Sequence, residues 1–194
     1  MKSDIRNDGL FMKEEDTRER ILYAAREVFS KKGYAGSTTK EISFVAEVAE
    51  VTLFRHFETK NNLFCETISK FIVKPMLNFN TSKTKVNSEN VIQKIIEERT
   101  NTLRRNRELF ICTIYEAQFN DEIKDMLKKI FLKVFDELMY YMKKEHMKSD
   151  KVSIEYMSQI ILSTVVGLII FESLTGSGDF KDTIKLYETI KTLI

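Results

Sequence analysis

Residues 38–60 bring hydroxyl, carboxylate and cationic side chains together at spacings that suit contact with a nucleic acid. Thr38 and Glu41 have capping-box spacing, in which the hydroxyl accepts from the amide three residues on and the carboxylate reaches back. The apolar residues that follow predict two short helices joined by a tight turn, and the start of a third. The side chains left exposed on the second helix would be Ala49, Glu50, Thr52, Arg55 and His56. A short polar helix face of this size fits a DNA major groove.

Several fixed spacings surround this segment. The pattern Thr-Arg-x-x-Ile-Leu-x-Ala-Ala-x-x-x-Phe starts at Thr17, and it is followed by Gly33-Tyr34, Thr38-Thr39-x-x-Ile42, Thr52-Leu53-Phe54-Arg55-His56-Phe57 and Lys60. Over roughly residues 16 to 66 these motifs resemble the DNA-binding domain of the TetR family of bacterial transcriptional repressors. The resemblance implies an N-terminal three-helix helix-turn-helix domain and a C-terminal helical domain that binds a ligand and dimerises.

The resemblance also implies a set of DNA contacts. The residues in matching positions are Thr38, Thr39, Lys40, Glu50, Val51, Thr52, Phe54, Arg55, His56 and Lys60. Within this set Glu50, Val51, Thr52 and Arg55 resemble base-facing positions, and His56 and Lys60 resemble phosphate contacts. Two alternatives stay open, because Thr38 and Thr39 could serve only as helix caps, and Lys60 could be a solvated surface lysine.

Three residues depart from the usual family pattern. Glu47 stands where a turn glycine is common, so we expect left-handed strain or a reshaped turn there. Phe54 stands where tyrosine is common, which removes one hydroxyl that could reach a phosphate. Glu50 is acidic on the groove-facing surface, and it repels phosphate unless it accepts from a cytosine amino group. We therefore predict that Glu50 contributes to sequence choice rather than to affinity.

Composition favours an all-α protein of about nine helices. The 194 residues include one proline and six glycines, which suits long helices better than a sheet with many turns. We predict a flexible arm over 1–15, a helix-turn-helix DNA-binding domain over 16–62 and a ligand-binding and dimerisation domain over 63–194. Within the second of these, Asp16 should begin a helix that Gly33 ends. Residues 1–64 carry eleven Lys/Arg and eleven Asp/Glu, so bulk electrostatic steering toward DNA should be weak.

Large apolar residues on the C-terminal helices could surround a ligand cavity. These residues are Phe71, Met76, Phe110, Tyr115, Phe119, Phe131, Phe135 and Met139. The alternative is that they only pack a helical core. A cavity with this lining would suit a small apolar or aromatic effector, for example a flat aromatic or an acyl compound.

The segment 160–171 is apolar nearly all round. It is shorter than the ~20 residues that span a bilayer, so we predict burial against both the core and a partner, with no membrane association. A four-helix dimer interface would provide this double burial. The residues proposed for the partner face are Val166, Ile169, Ile170, Ser173, Leu186 and Ile190. Because residues 1–16 lack a continuous apolar run, we predict no secretory signal and a cytoplasmic location.

These features together predict a ligand-responsive repressor that binds a palindromic double-stranded DNA operator as a homodimer and is released by a small apolar effector. The helix that begins at Thr59 would be the lever, with Pro75 kinking or ending it. An enzyme is not expected, because His56 and His146 are the only histidines and the sequence holds no H-E-x-x-H, G-x-S-x-G or phosphate-cradling glycine loop. No metal or cofactor is expected either. The alternative function is a helical structural or adaptor protein that does not bind DNA.

Overall fold

The computed structural model describes residues 5–77, 91–144, 153–176 and 188, with side chains from residue 16 onward. Every regular element in these ranges is helical, which confirms the predicted all-α fold and is close to the predicted helix number. Leu186 and Ile190 lie outside the described residues. The chain divides into two compact units, Met1–Phe71 and Ile72–Ile194, which are described separately.

The described residues of the first unit form four α-helices. They are α1 (Ile5–Gly36), α2 (Thr39–Val45), α3 (Glu50–Phe57) and α4 (Lys60–Ile68). Helix α1 already includes residues 5–15, so the predicted helix start at Asp16 is wrong and the backbone of most of the expected arm is helical. Gly33 interrupts α1 as predicted, with a φ of 70° that glycine adopts without steric cost.

A compact apolar core holds the helices of the first unit together. Ile21, Ala25 and Phe29 of α1 recur at helical spacing and are fully buried, so α1 presents one apolar stripe to the other helices. The ring of Phe29 meets that of Phe64 edge-on, with centroids 4.8 Å apart. Leu53 and Phe57 anchor α3 in the same core. Each such side chain contributes about 1.5–3 kcal/mol by leaving water, which fixes the rotation of α3 about its axis.

Hydroxyl caps begin two of these helices where the sequence predicts them. Thr38 Oγ1 accepts from the amide of Glu41 at 3.1 Å, and Thr59 Oγ1 accepts from the amide of Asn62 at 3.0 Å. The carboxylate of Glu41 instead pairs with Lys32 Nζ at 2.6 Å. Each cap satisfies one amide that has no partner inside the helix, and it sets the residue at which the chain turns.

The helix that starts at α4 changes register before Pro75. A π-helical stretch, Ser69–Val73, follows α4, and α5 (Lys74–Leu77) follows that stretch. Proline has no N–H, so it cannot donate to the carbonyl four residues earlier. The π-helical stretch directly before Pro75 accommodates the lost hydrogen bond. The irregularity predicted at Pro75 is therefore this change of helical register.

The predicted DNA-binding domain ends at residue 62, whereas the first compact unit continues to residue 71. The reason is that α4 packs along α1 and buries Leu63, Phe64 and Ile68. The functional boundary at 62 remains a prediction.

Four longer helices form most of the described part of the second unit. They are α6 (Val91–Arg105), α7 (Arg107–Glu116), α8 (Asp121–Lys144) and α9 (Ile154–Thr175). Helix α8 is amphipathic, with buried residues at steps of three and four while its lysines are exposed. The buried set is Ile123, Leu127, Ile130, Val134, Leu138 and Met142.

Helix α9 begins at a serine cap and ends at a left-handed glycine. Ser153 Oγ accepts from the amide of Tyr156 at 3.4 Å, and Gly176 has a φ of 66°.

Helix α9 has 22 residues, and it is the one helix within the described residues that is long and apolar enough to cross a membrane by length and composition. The shortness of the segment 160–171 therefore does not argue against a bilayer. The core helix of a soluble protein also passes this test, and 28% of the most apolar window of α9 is buried within the chain.

Candidate DNA-binding surface and effector cavity

The outer face of α3 presents the side chains that the sequence proposes for base contact. Because Leu53 and Phe57 point into the core, the opposite side of this helix faces solvent. Val51 is 74% exposed, Phe54 is 42% exposed and Arg55 is also exposed. Thr52 and His56 are half-buried at the edges of this face. An eight-residue helix with these exposed side chains has the dimensions of a major-groove reader.

The turn between α2 and α3 contains a residue in the left-handed region. Glu47 has a φ of 54°, so the strain expected from its glycine-like position is present. The turn is closed by two backbone hydrogen bonds, from the amide of Glu47 to the carbonyl of Phe44 at 3.1 Å and from the amide of Val48 to the carbonyl of Ser43 at 3.0 Å. These bonds hold α3 at a fixed angle to α2 in spite of the strain.

Thr39 and Glu50 contact each other. Each is the first residue of its helix, and Thr39 Oγ1 donates to Glu50 Oε1 at 2.6 Å. Both side chains are half-buried. The cap at the start of α2 is the neighbouring Thr38, so the hydroxyl of Thr39 serves the carboxylate instead of a helix end. Lys40 lies beside them with its side chain exposed.

Lys60 supports the loop that precedes α2. Its Nζ donates to the carbonyl oxygen of Ser37 at 2.6 Å and lies 4.4 Å from the centre of the Tyr34 ring. The side chain is half-buried, so the alternative of a solvated surface lysine is wrong. A phosphate contact by Lys60 remains a prediction.

An apolar cavity lies within the second unit. The space between its walls, together with the solvent at its open mouth, amounts to about 350 Å³. The walls come from α5, α6, α8 and α9. The lining residues are Met76, Ile95, Ile96, Arg99, Leu103, Phe131, Val134, Leu138, Ile161, Leu162, Val165 and Val166. Eleven of these twelve are apolar, so the cavity suits a molecule with little polarity.

Arg99 is the charged residue in the cavity wall. It is 4% exposed; its Nη2 donates to Glu137 Oε2 at 2.7 Å and its Nη1 to the carbonyl oxygen of Pro75 at 3.1 Å. Burial lowers the pKa of the Arg99 guanidinium below its usual range, and the neighbouring carboxylate of Glu137 opposes that shift. Through these two bonds Arg99 connects α6 to both α5 and α8.

The outward face of α9 is an exposed apolar stripe, here called the α9 stripe. Its members are Tyr156, Ile160, Gly167, Phe171 and Leu174, all exposed and separated by steps of three, four or seven residues. The opposite side of α9 is held to α6 by Glu172, whose Oε1 accepts from Arg104 Nη2 at 2.6 Å. Since Glu172 is buried and anchored, the stripe is fixed in its outward orientation.

A family model described as bacterial regulatory proteins of the tetR family matches residues 21–67. Those residues run from the buried stripe of α1 to α4, and they include the whole of α2 and α3. This segment therefore has the sequence of a TetR-family DNA-binding domain.

Individual proteins are also similar to this chain. The uncharacterized HTH-type transcriptional regulator YvkB of Bacillus subtilis is 51% identical over 47 residues, which cover 24% of this chain and 25% of that protein. The chain thus spans about a quarter of the length of that relative. The HTH-type transcriptional regulator UidR of Escherichia coli is 23% identical over 84% of both chains. The TetR family transcriptional regulator PfmR of Thermus thermophilus has the same fold, with a TM-score of 0.73 at 16% identity over 89% of this chain and 97% of that one.

The predicted effector residues fall in several places. Met76 and Phe131 line the cavity. Phe110 is buried in the core, and Phe71 belongs to the first unit, where its ring meets that of Tyr23. Phe135 and Met139 are half-buried on α8 outside the cavity lining.

Tyr115 and Phe119 do not line this cavity. They are 62% and 74% exposed and contact each other edge-on, with ring centroids 5.5 Å apart. Tyr115 lies on the face of α7 opposite the buried Leu109, Phe110 and Thr113, and Phe119 follows the end of that helix at Glu116. The aliphatic residues of α6 and α9 that form most of the lining were not predicted, because the predicted set contained only aromatic residues and methionines.

The predicted dimer residues on α9 lie near the α9 stripe but are rotated from it. Ile169 is fully buried in the core of its own unit, so it cannot form an outer face. Val166 lines the cavity, and Ile170 and Ser173 are half-buried at the edge of the stripe. Among the described residues there is no group of three His, Cys, Asp or Glu side chains placed to hold a metal ion.

Proposed function

We propose that this protein is a transcriptional repressor that binds a palindromic DNA operator as a homodimer and is released when a small apolar effector enters the cavity of the second unit. The observation that carries the proposal is the exposed face of α3 inside a segment that matches the family model. The protein would act in the cytoplasm, without a metal, cofactor or catalytic site.

The proposed DNA contacts are divided between bases and phosphates. Val51, Thr52 and Arg55 on α3 would face base edges, and Lys40, His56 and Lys60 would contact phosphates. Phe54 and Val51 offer apolar surface, which suits a thymine methyl group. Because the sequence around this surface has no net charge, affinity would come from a few placed contacts and from binding two half-sites at once.

The proposed partner for the α9 stripe is a second copy of the chain. An apolar helix face rimmed by polar groups is typical of an interface, and Gly167 near its centre would allow two helices to approach closely. Ile170 and Ser173 would lie at the rim of this interface. The two α3 helices of a twofold dimer would meet two half-sites about one turn of DNA apart, roughly 34–36 Å, or a multiple of it.

The effector would act through the residues that surround the cavity. A bound apolar molecule would contact the stem of Arg99 and the side chain of Met76, and Arg99 donates to the carbonyl of Pro75. Occupancy would therefore change the position of α5 and favour one conformation of the protein over another. Uncharged aromatic compounds and acyl compounds are the classes that fit the lining.

Selection of bound sequences from a random DNA pool tests the proposal. The expected result is enrichment of a palindrome with two half-sites, whose affinity falls steeply as salt rises. Repeating the binding with a set of uncharged aromatic compounds and a set of medium-chain fatty acids should identify a compound that releases the operator. If no sequence is enriched, the protein is not a sequence-specific regulator, and the alternative of a helical adaptor that binds protein gains support.

A further inference from the structure

Thr39 and Glu50 are both proposed to contact DNA, but separate contacts with DNA do not account for the hydrogen bond between the two side chains. Thr39 is among the residues in matching DNA-contact positions, but its Oγ1 donates to Glu50 Oε1 at 2.6 Å. The carboxylate belongs to the first turn of α3, the end of the helix whose residues enter the groove in this class of motif. The bond therefore fixes an acidic group at the tip of the DNA-facing surface.

A carboxylate at this position restricts what it can meet in the DNA. It is an acceptor only, and it is repelled by phosphates. Among major-groove base edges, amino donors occur on cytosine and adenine. Adenine places its N7 acceptor beside its amino group, which would oppose a carboxylate, whereas the edge of cytosine offers its N4 amino donor. Cytosine is thus the base that suits Glu50.

The geometry of the pair leaves room for such a contact. One carboxylate oxygen, Oε1, accepts from Thr39, and a carboxylate has about four acceptor sites on its two oxygens. A glutamate side chain that is not held would sample many rotamers, and ordering it on binding would weaken discrimination. A glutamate that is already held by Thr39 loses less conformational entropy when it binds DNA.

We infer that Thr39 is a positioning residue for Glu50, and that the held carboxylate reads a cytosine in each half-site of the operator. The inference rests on the proposed DNA binding and deepens it, because it assigns the identity of one base and the residue that makes the discrimination sharp. Thr39 acts through Glu50 rather than through a phosphate of its own.

The competing explanation is that the bond only ties α2 to α3. In that case its removal would lower stability without changing which base is preferred. A ratio of affinities for two operators, measured with the same protein, is insensitive to a uniform loss of folded protein, so it separates the two explanations.

The test uses the full-length protein and three variants. Random-pool selection with the wild type and with Glu50→Gln identifies the position at which the two differ, and we expect cytosine for the wild type and adenine for the glutamine variant, because glutamine pairs with N6 and N7 of adenine. Thr39→Val keeps the shape of the side chain but removes the donor, and Thr39→Ser keeps the donor. The measurement is the ratio of affinities for operators that carry cytosine or another base at that position, together with the thermal midpoint of each variant.

We expect Thr39→Val to reduce the preference for cytosine by roughly tenfold and Thr39→Ser to retain most of it. An unchanged ratio in Thr39→Val, or an equal loss in Thr39→Ser, overturns the inference while leaving DNA binding intact. The same applies if no operator position responds to Glu50→Gln. Absence of any enriched sequence with the wild type would instead reject the proposed function itself.

Discussion

The ammonium group of Lys60 lies 4.4 Å from the centre of the Tyr34 ring, where α4 meets the end of α1. The same ammonium donates to the carbonyl oxygen of Ser37, in the loop between α1 and α2. One side chain therefore connects three segments of the first unit. This arrangement gives Lys60 a structural role beside the phosphate contact proposed for it.

Replacing Lys60 with methionine should destabilise the protein. The variant loses a charge-assisted hydrogen bond and a cation–π contact, and we expect the free energy of unfolding to fall by about 1–2 kcal/mol. Urea denaturation followed by circular dichroism measures the change. Lys128→Met, at an exposed position on α8, is the matched control and should change stability by less than about 0.5 kcal/mol. Equal effects at both positions would contradict the structural role.

Replacing Glu47 with glycine should stabilise the protein. Since the Glu47 φ of 54° is unfavourable for a residue with a Cβ atom, Glu47→Gly should raise the free energy of unfolding by about 0.5–1 kcal/mol. Glu47→Ala removes the same carboxylate but keeps the strain, so it should bring no such gain. Urea midpoints of the two variants measure the difference, and an equal shift in both would assign the effect to charge instead of backbone strain.

Arg55 should be required for tight binding to the operator. It is exposed in the last turn of α3, on the face opposite Leu53 and Phe57. We expect Arg55→Ala to cost about 1–3 kcal/mol of binding free energy at the selected operator, measured by gel-shift titration. Arg107→Ala removes an equal charge from the second unit, where Arg107 pairs with Glu108, and should leave affinity unchanged. An Arg55 variant with wild-type affinity would remove this residue from the proposed base contacts.

The sequence predicted those features that depend on neighbouring residues. The caps at Thr38 and Thr59, the break at Gly33 and the left-handed turn at Glu47 each follow from local backbone requirements that spacing reveals. The buried face of α8 was predictable for the same reason, because its apolar residues recur with a clear helical period.

Features that join distant residues could not be predicted in this way. The Thr39–Glu50 bond depends on the angle between α2 and α3, and the Lys60–Tyr34 contact depends on how α4 packs against α1. The rotation of α9 was also hidden, since a helix that is apolar nearly all round has no period to show that Ile169 points inward and Phe171 outward. The helix start at Asp16 was misplaced because a polar segment can extend a helix without any apolar stripe.

Removing only one partner of the buried ion pair between Arg99 and Glu137 should lower the free energy of unfolding. Glu137→Leu leaves a guanidinium that is 4% exposed without its carboxylate, and we expect a loss of about 3–5 kcal/mol in the free energy of unfolding. The double variant Arg99→Met/Glu137→Leu removes both charges and should recover most of that loss.

The exposed pair of Arg107 and Glu108 is the control for the buried one. Glu108→Leu should cost no more than about 1 kcal/mol, because solvent screens charges at the surface. Urea denaturation measures all three variants. If the double variant is as unstable as Glu137→Leu, the loss arises from packing at residue 137 and not from an uncompensated buried charge.

The α9 stripe should be the face through which two copies of the chain associate. Leu174 is 81% exposed and Ile160 is 41% exposed, so a carboxylate at either position is tolerated in a single chain but would be buried in an interface. We expect Ile160→Glu and Leu174→Glu to convert a dimer into a monomer at micromolar concentration in analytical ultracentrifugation. Each should also weaken operator binding by more than tenfold, because a monomer holds only one half-site.

Leu132→Glu is the matched control for the dimer variants. Leu132 is 54% exposed on α8 among lysines and aspartates, so the substitution introduces the same charge on a polar face and should leave the dimer intact. A wild-type protein that sediments as a monomer would contradict the assignment of the stripe to a second copy. In that case flotation with lipid vesicles distinguishes the remaining explanation, since α9 is apolar enough to associate with a bilayer and Leu174→Glu would abolish that association.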